Sequence, residues 1–279
     1  MIERNANSLD SLSGSKNTVL LYKKLGETPL ECILRYKHDT GENRVMTYAG
    51  RLDPLAEGGL LCLIGDECKR KNNYLSLNKK YTFEILVGFS TDTYDLLGVV
   101  VQDSYDKTTE QNIGHDYSSG EIHISSDIIN PSILQEFVGK RIQKYPAYSS
   151  KTINGVQLHT LARANKLDEI DIPSREVEIF DLKIIGKNEI DAKDLLDNIL
   201  HKVDLVKGDF RQDIIKKKWQ EVLGKYENAR FFIYKIDIFC SSGTYVRALI
   251  RDLGKKLGIP MCAYSIKRTA VGNFVLPLV

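Results

Sequence analysis

The chain has 279 residues, 42% hydrophobic and 27% charged, an ordinary balance for a globular protein that buries its core without staples. No apolar run approaches the roughly 20 residues that span a bilayer, the N-terminus lacks a signal-peptide core, and the five cysteines form no CxxC pair. Membrane helices and disulfide or zinc frameworks are therefore not expected, and a reducing cytoplasm fits.

Net charge is only +2, but residues 1–80 carry 13 Lys/Arg against 10 Asp/Glu and residues 229–279 carry 8 against 2. Folded together, the two ends can share one basic face of the kind a polyanion needs, although scattered surface charge explains the counts equally well.

Residues 1–16 are polar and read as a flexible tail before a single domain over 17–279. A short strand is predicted over 19–22. Thr28-Pro29-Leu30-Glu31 then forms a capping box that opens a helix with an apolar stripe of Leu30, Ile33 and Leu34. Residues 58–64 read as a buried strand. Tyr81, Phe83, Ile85 and Val87 alternate with Thr82, Glu84 and Leu86, which makes a sheet strand, and 99–101 is expected to continue the sheet. The polar stretch 103–126 reads as a loop or hairpin insertion. Asn130-Pro131 opens a short helix that Gly139 is expected to end.

Further on, 157–165 reads as a helix, 176–185 as a strand, and the highly charged 187–228 as an inserted helical pair. Alternation is cleanest over 230–240. A last helix runs over 245–257 with Gly258 just past its end. Strands mixed with helices at irregular intervals indicate an α+β fold.

Three segments carry candidate chemistry. Asp53 lies in Gly50-Arg51-Leu52-Asp53-Pro54, and the proline pushes its backbone to an extended form. Read alone, such an aspartate is most simply a turn residue. Arg247 and Arg251 in Ser242-Gly243-Thr244-Tyr245-Val246-Arg247 and beyond share a helical face. An arginine early in a helix usually meets solvent, and the alternative is a carboxylate or phosphate partner. Gln143-Lys144-Tyr145-Pro146-Ala147-Tyr148-Ser149-Ser150-Lys151-Thr152-Ile153-Asn154-Gly155 mixes bases, rings and small polar groups, which suits exposed RNA as well as a generic loop.

Taken together and in this order, these segments resemble the TruB family of pseudouridine synthases. Residues 45–70 resemble its Gly-x-Leu-Asp-Pro-Leu-Ala-x-Gly motif. Lys80-Tyr81, followed by Thr91-Asp92-Thr93-Tyr94-Asp95-Leu96-Leu97-Gly98, resembles its Lys-x-Tyr and Thr-Asp-Thr-x-Asp-x-x-Gly elements. Residues 143–165 resemble its Gln-x-Pro-Pro-x-Tyr-Ser-Ala segment leading to Ala-Arg. Residues 240–272 resemble its Cys-Ser-x-Gly-Thr-Tyr-Ile-Arg stretch and the Arg-Thr and Gly that follow.

The resemblance implies an α+β pseudouridine-synthase fold: a mixed, mostly antiparallel central sheet, flanking helices and a thumb-like RNA-binding insertion. It implies a uridine isomerase that acts on the T-arm of tRNA, at the conventional position 55, with no cofactor, no metal and no membrane, working as a monomer in the cytoplasm. Asp53 matches the catalytic aspartate, which attacks ribose or supports a glycal route. Arg247 matches its cationic partner; a neighbouring cation favours the ionised carboxylate, and a guanidinium fork orients it. Replacing it with alanine is expected to lower activity with little loss of folding. Tyr81 matches the tyrosine that stacks on the base. Substrate contacts are implied at Tyr48, Arg51, Tyr148, Lys151, Tyr245, Ile266 and Arg268.

The chain departs from the pattern at three places. Tyr48 stands where the family usually has histidine, Tyr145 replaces the first proline of the third motif, and Lys151 is displaced by one. The 187–228 insert is longer than the family pattern, and no C-terminal RNA-binding module is expected. Two other readings remain: an RNA-binding or RNA-folding protein without catalysis, and a synthase directed to a different RNA.

Overall fold

Alternation along residues 81–87 and 230–240 gives each stretch one apolar face, and the two strands lie side by side near the middle of a ten-stranded sheet. The computed structural model describes residues 11–13, 17–101, 113–116, 121–124, 127–226 and 229–277.

In chain order, β1 (Ser11–Ser13), β2 (Thr18–Lys23), α1 (Pro29–Thr40), β3 (Met46–Tyr48) and β4 (Ala56–Ile64) come first. A 3-10 turn (Gly65–Arg70) and α2 (Lys71–Leu75) follow. Next are β5 (Lys79–Val87), the ribbon β6 (Ser90–Thr91) and β7 (Val100–Val101), and the hairpin β8 (Ile113–Asp116) and β9 (Glu121–Ile124). Then come α3 (Pro131–Gln135), β10 (Gly139–Lys144), the hairpin β11 (Thr152–Ile153) and β12 (Val156–Gln157), and α4 (Leu158–Arg163). The last third holds β13 (Ser174–Asp191), α5 (Ala192–Asp204), α6 (Gln212–Leu223), β14 (Arg230–Cys240), α7 (Val246–Leu257), β15 (Met261–Val271) and β16 (Phe274–Val275).

The sheet order is β1-β2-β4-β15-β5-β14-β13-β10, with β3 beside β4 and β16 beside β15. Only β4 and β15 run parallel among these pairs. This is the mixed, mostly antiparallel α+β arrangement expected from the sequence. The two basic ends meet in it, because β2 and β4 from the first lie beside β15 from the second.

The two larger apolar clusters flank the sheet. In one, Val246, Leu249, Ile250 and Leu253 of α7 pack on Phe83, Ile85, Ile236 and Ile238. In the other, Leu195, Ile199 and Val203 of α5 and Ile215 and Trp219 of α6 pack on Phe89 and Phe231. At about 1.5–3 kcal/mol per buried large side chain, the helical pair is an integral layer and not an appended arm.

Several expectations change in detail. Ser11–Ser13, read as tail, pairs with Val19–Leu21 as an edge strand; the rest of 1–16 apart from these three lies outside the described residues. Helix α1 opens on the expected capping box, with Thr28 and Glu31 exchanging side-chain and backbone bonds at 3.2 and 2.7 Å. Its buried face is Cys32 and Ile33, however, while Leu30 and Leu34 are exposed. Val100–Val101 leaves the central sheet and pairs with Ser90–Thr91. Gly139, at φ 102, starts β10 and does not end α3. The helical pair begins at Ala192, because residues 187–191 prolong β13 beside β14. Of the polar stretch 103–126, the described residues form the β8–β9 hairpin.

Candidate active site

The segment between β3 and β4 carries Asp53, and the fold pins it from several directions. Leu52 and Leu55 on either side are buried in the two different cores. Arg268 donates to the carbonyls of Gly59 (2.7 Å), Gly50 (3.0 Å) and Arg51 (3.4 Å). From the other side, Gly26 N and the buried Lys23 Nζ donate to Pro54 O at 2.9 and 3.2 Å. Lys23 Nζ also reaches Ala56 O at 2.6 Å. Desolvation lowers this ammonium to about 8, although Glu27 and Asp53 favour its charge. The Asp53 carboxylate stays about one-third exposed.

Arg247, on the first turn of α7, is buried and aims at that carboxylate. Its Nε and Nη2 lie 2.9 and 2.6 Å from Asp53 Oδ2. Its remaining donors go to Thr93 O at 2.8 Å and Tyr148 O at 3.2 Å. A second carboxylate, Asp95, sits 3.5 Å from Nε. Burial works against the Arg247 charge, yet Asp53 and Asp95 together hold the guanidinium above its usual range. Burial pushes Asp95 up, opposed by Arg247 and by the Thr93 hydroxyl, which donates to Asp95 Oδ1 at 2.7 Å.

Tyr81 and the same carboxylate line one cavity of about 590 Å³, within the range of small-ligand sites. The tyrosine is half-buried, and burial raises its phenol while the nearby Arg268 works the other way. The strand register explains the neighbourhood: Arg268 on β15 lies between Gly58 of β4 and Tyr81 of β5. Ile266, Tyr245 and Val246 add an apolar wall, and Arg51, Lys151 and Arg175 line the same cavity. A flat ring, a carboxylate and a ring of cations suit a planar base on a phosphate-bearing chain.

A second cavity, of about 300 Å³, lies on the other side of Asp53 and Arg247. Tyr148, His159, Arg163 and Arg211 line it.

The fold thus brings Asp53, Arg247, Tyr81, Arg51, Lys151, Tyr245, Ile266 and Arg268 to one cavity. Tyr48 is not among them. Its ring packs beside Met46 and the Ile33 and Ile64 cluster, with the Lys71 ammonium 5.1 Å away. Arg268 is not a free substrate cation, because its donors are committed to the loop carbonyls of Gly50 and Arg51 and to Gly59 O of β4, and the side chain is buried. Tyr148 faces the second cavity, its hydroxyl donating to Asp92 at 3.1 Å. Lys151 is exposed beside the Tyr145 ring.

Sequence reading missed Asp95, whose signal was available in the Thr-Asp-Thr-x-Asp turn. Gln143, which opens the third motif but is not among the implied site residues, is buried and bonded to both backbone groups of Tyr245 at 2.8 and 3.2 Å. Lys23 and Arg211 carry no local signal, since only tertiary packing reveals their partners.

A family model described as TruB family pseudouridylate synthase (N terminal domain) matches residues 37–210. The tRNA pseudouridine synthase B of Ligilactobacillus salivarius (strain UCC118) is 29% identical over 254 residues, 91% of this chain and 67% of that protein. The protein of the same name from Oceanobacillus iheyensis is 29% identical over 91% of this chain and 65% of its own length. For Caldanaerobacter subterraneus subsp. tengcongensis the figures are 30%, 81% and 59%. The chain therefore spans about two thirds or less of the length of these relatives. Among solved structures, the crystal structure of a Cbf5-Nop10-Gar1 complex matches 94% of this chain and 50% of that chain, with a TM-score of 0.51 and 15% identity, a likeness of fold.

Proposed function

This chain belongs to the TruB family of pseudouridylate synthases, and from that premise we propose that it isomerises a uridine in the T-arm of tRNA, at position 55, to pseudouridine. It does so as a monomer in the cytoplasm. The observation that carries the reading is Asp53 held by a buried Arg247 in a cavity that Tyr81 also lines.

The nucleotide leaves its stack to enter the cavity. Its base lies against the Tyr81 ring and the Ile266 wall, and Arg51, Lys151 and Arg175 face the backbone phosphates. Asp53 Oδ1 attacks ribose C1′ while the bond to uracil N1 breaks and its electron pair leaves with the base. The uracil turns on the tyrosine face. Carbon 5 then bonds to C1′ and expels the carboxylate. The proton on carbon 5 is lost and N1 takes one up, so the product is an isomer with no net change in atoms. The Tyr81 hydroxyl is the group placed to assist that proton movement. Arg247 and Arg268 act on geometry: one orients the carboxylate, the other holds the loop that carries it.

The test is incubation of the purified chain with an unmodified tRNA transcript, followed by chemical mapping of pseudouridine. Modification at the T-arm uridine supports the reading. Modification elsewhere moves the address, and none at all refutes the activity.

A further inference from the structure

The connection between α5 and α6 enters the mouth of the second cavity and sets Arg211 there with a left-handed backbone, φ 65. A non-glycine residue keeps that conformation only where its surroundings hold it. The Arg211 guanidinium donates to both oxygens of Asp92, at 2.7 Å to Oδ2 and 3.2 Å to Oδ1. It also lies 4.7 Å from the centre of the Tyr148 ring, and the Tyr148 hydroxyl donates to Asp92 Oδ2 at 3.1 Å. The three side chains close on one another.

Both partners of Arg211 lead directly to the catalytic arginine. Tyr148 offers its own carbonyl to Arg247 Nη2 at 3.2 Å, and Thr93, next to Asp92, offers its carbonyl to Nη1 at 2.8 Å. The same connection ties down α4, since Arg163 Nη2 donates to Asp209 O at 2.6 Å and its guanidinium lies 5.7 Å from the Phe210 ring centre. Helices α5 and α6 are themselves fixed by Ile199, Val203, Ile215 and Trp219 in the second core, so Arg211 is presented from rigid elements.

We propose that Arg211 is a positioning residue for the isomerisation. It clamps the Tyr148 loop to the Asp92 turn so that their two carbonyls hold Arg247, and through it Asp53, in reacting geometry. The inserted helical pair thereby contributes to the active site from outside the catalytic strands. This rests on the reading of Asp53 as the reacting carboxylate. Lysine keeps the charge toward Asp92 but cannot fork onto a carboxylate and stack on a ring at once, so it fills the role only in part.

The experiment compares the full chain with Arg211→Ala, Arg211→Lys, Asp92→Asn and the Arg211→Ala/Asp92→Asn double variant on a tRNA transcript. Arg211→Ala should lower kcat about 10- to 100-fold while KM changes less than about threefold, as a small misplacement of reacting groups does. Arg211→Lys should recover part of that loss, and the double variant should be no worse than Arg211→Ala alone. In parallel, amide hydrogen exchange in Arg211→Ala should quicken over residues 145–163 and stay unchanged in β14 and α7. A kcat within about twofold of wild type overturns the proposal. So does a raised KM with kcat kept, which would make Arg211 a contact to RNA phosphate, and so does faster exchange throughout the protein. An inactive wild type would instead sink the proposed function; the exchange result then decides alone, with unchanged protection over 145–163 overturning the clamp.

Discussion

Both donors that Arg247 turns toward Asp53 converge on one oxygen, Oδ2, at 2.9 and 2.6 Å, while Oδ1 has no hydrogen-bond partner among the described residues. A side-on fork would engage both oxygens. This end-on hold orients the carboxylate and leaves one oxygen uncommitted, as the proposed attack on ribose requires. The guanidinium has no slack, because its other nitrogen is committed to Thr93 O.

That arrangement revises what replacing Arg247 should do. The side chain is 3% exposed and faces Asp53 and Asp95 together. Arg247→Ala leaves a buried carboxylate without its cation, so unfolding by urea should show a loss of about 3–5 kcal/mol, contrary to the small folding cost expected from sequence. Arg247→Lys keeps the charge but not the fork. It should lose less stability than the alanine variant while kcat still falls about 100-fold.

Tyr81 offers a ring and a hydroxyl, and the two can be separated. Tyr81→Phe keeps the stacking face, so KM should stay within about threefold of wild type, whereas kcat should fall by about 10²-fold if the hydroxyl assists proton movement. Its melting temperature should hardly move. Unchanged kcat would confine Tyr81 to stacking.

Gly58 and Arg268 are matched by close approach. Gly58 has φ 102, and a Cβ there would stand 2.3 Å from Arg268 O. Gly58→Ala should therefore cost about 3 kcal/mol or more and lower activity in proportion to the unfolded fraction, as both strain and clash act on the row that holds Tyr81. Thermal melting checks it; a wild-type midpoint would contradict the clash.

Much of this was legible in the chain. Strands with clean alternation, such as 81–87 and 230–240, were plain because one face meets the core. The Asp53, Tyr81 and Arg247 segments were read as one site only through their shared order. What escaped notice depends on tertiary partners. Tyr48 looked like a pocket residue by position, but β3 turns its ring to a different cluster. Arg268 looked like a substrate cation, yet burial among carbonyls makes it a clamp. Leu30 and Leu34 shared a helical stripe that the neighbouring sheet never covers. Arg211 lies in a polar connection where no periodicity marks it.

Lys79 supplies a pH test. It is buried, donates to Leu75 O and Leu77 O, and is lowered to about 8 by desolvation and by Arg268. The unfolded chain returns it to its ordinary 10.5. Below pH 8 both states hold the proton and stability does not change with pH through this group. Between 8 and 10.5 the unfolded state binds more protons, so wild type gains stability as pH rises. Relative to Lys79→Met, which cannot titrate, the gain from pH 8 to 9.5 should be about 1–2 kcal/mol. Urea midpoints at the two pH values measure it, and a parallel pH course in both proteins would contradict the shift.

Asp53 is proposed as the reacting group. Single-turnover formation of pseudouridine in a tRNA transcript, compared between wild type and Asp53→Asn under conditions where both bind the RNA, tests it most directly. The variant should bind normally and convert the uridine at less than about a thousandth of the wild-type rate. Conversion by Asp53→Asn at the wild-type rate would contradict that assignment.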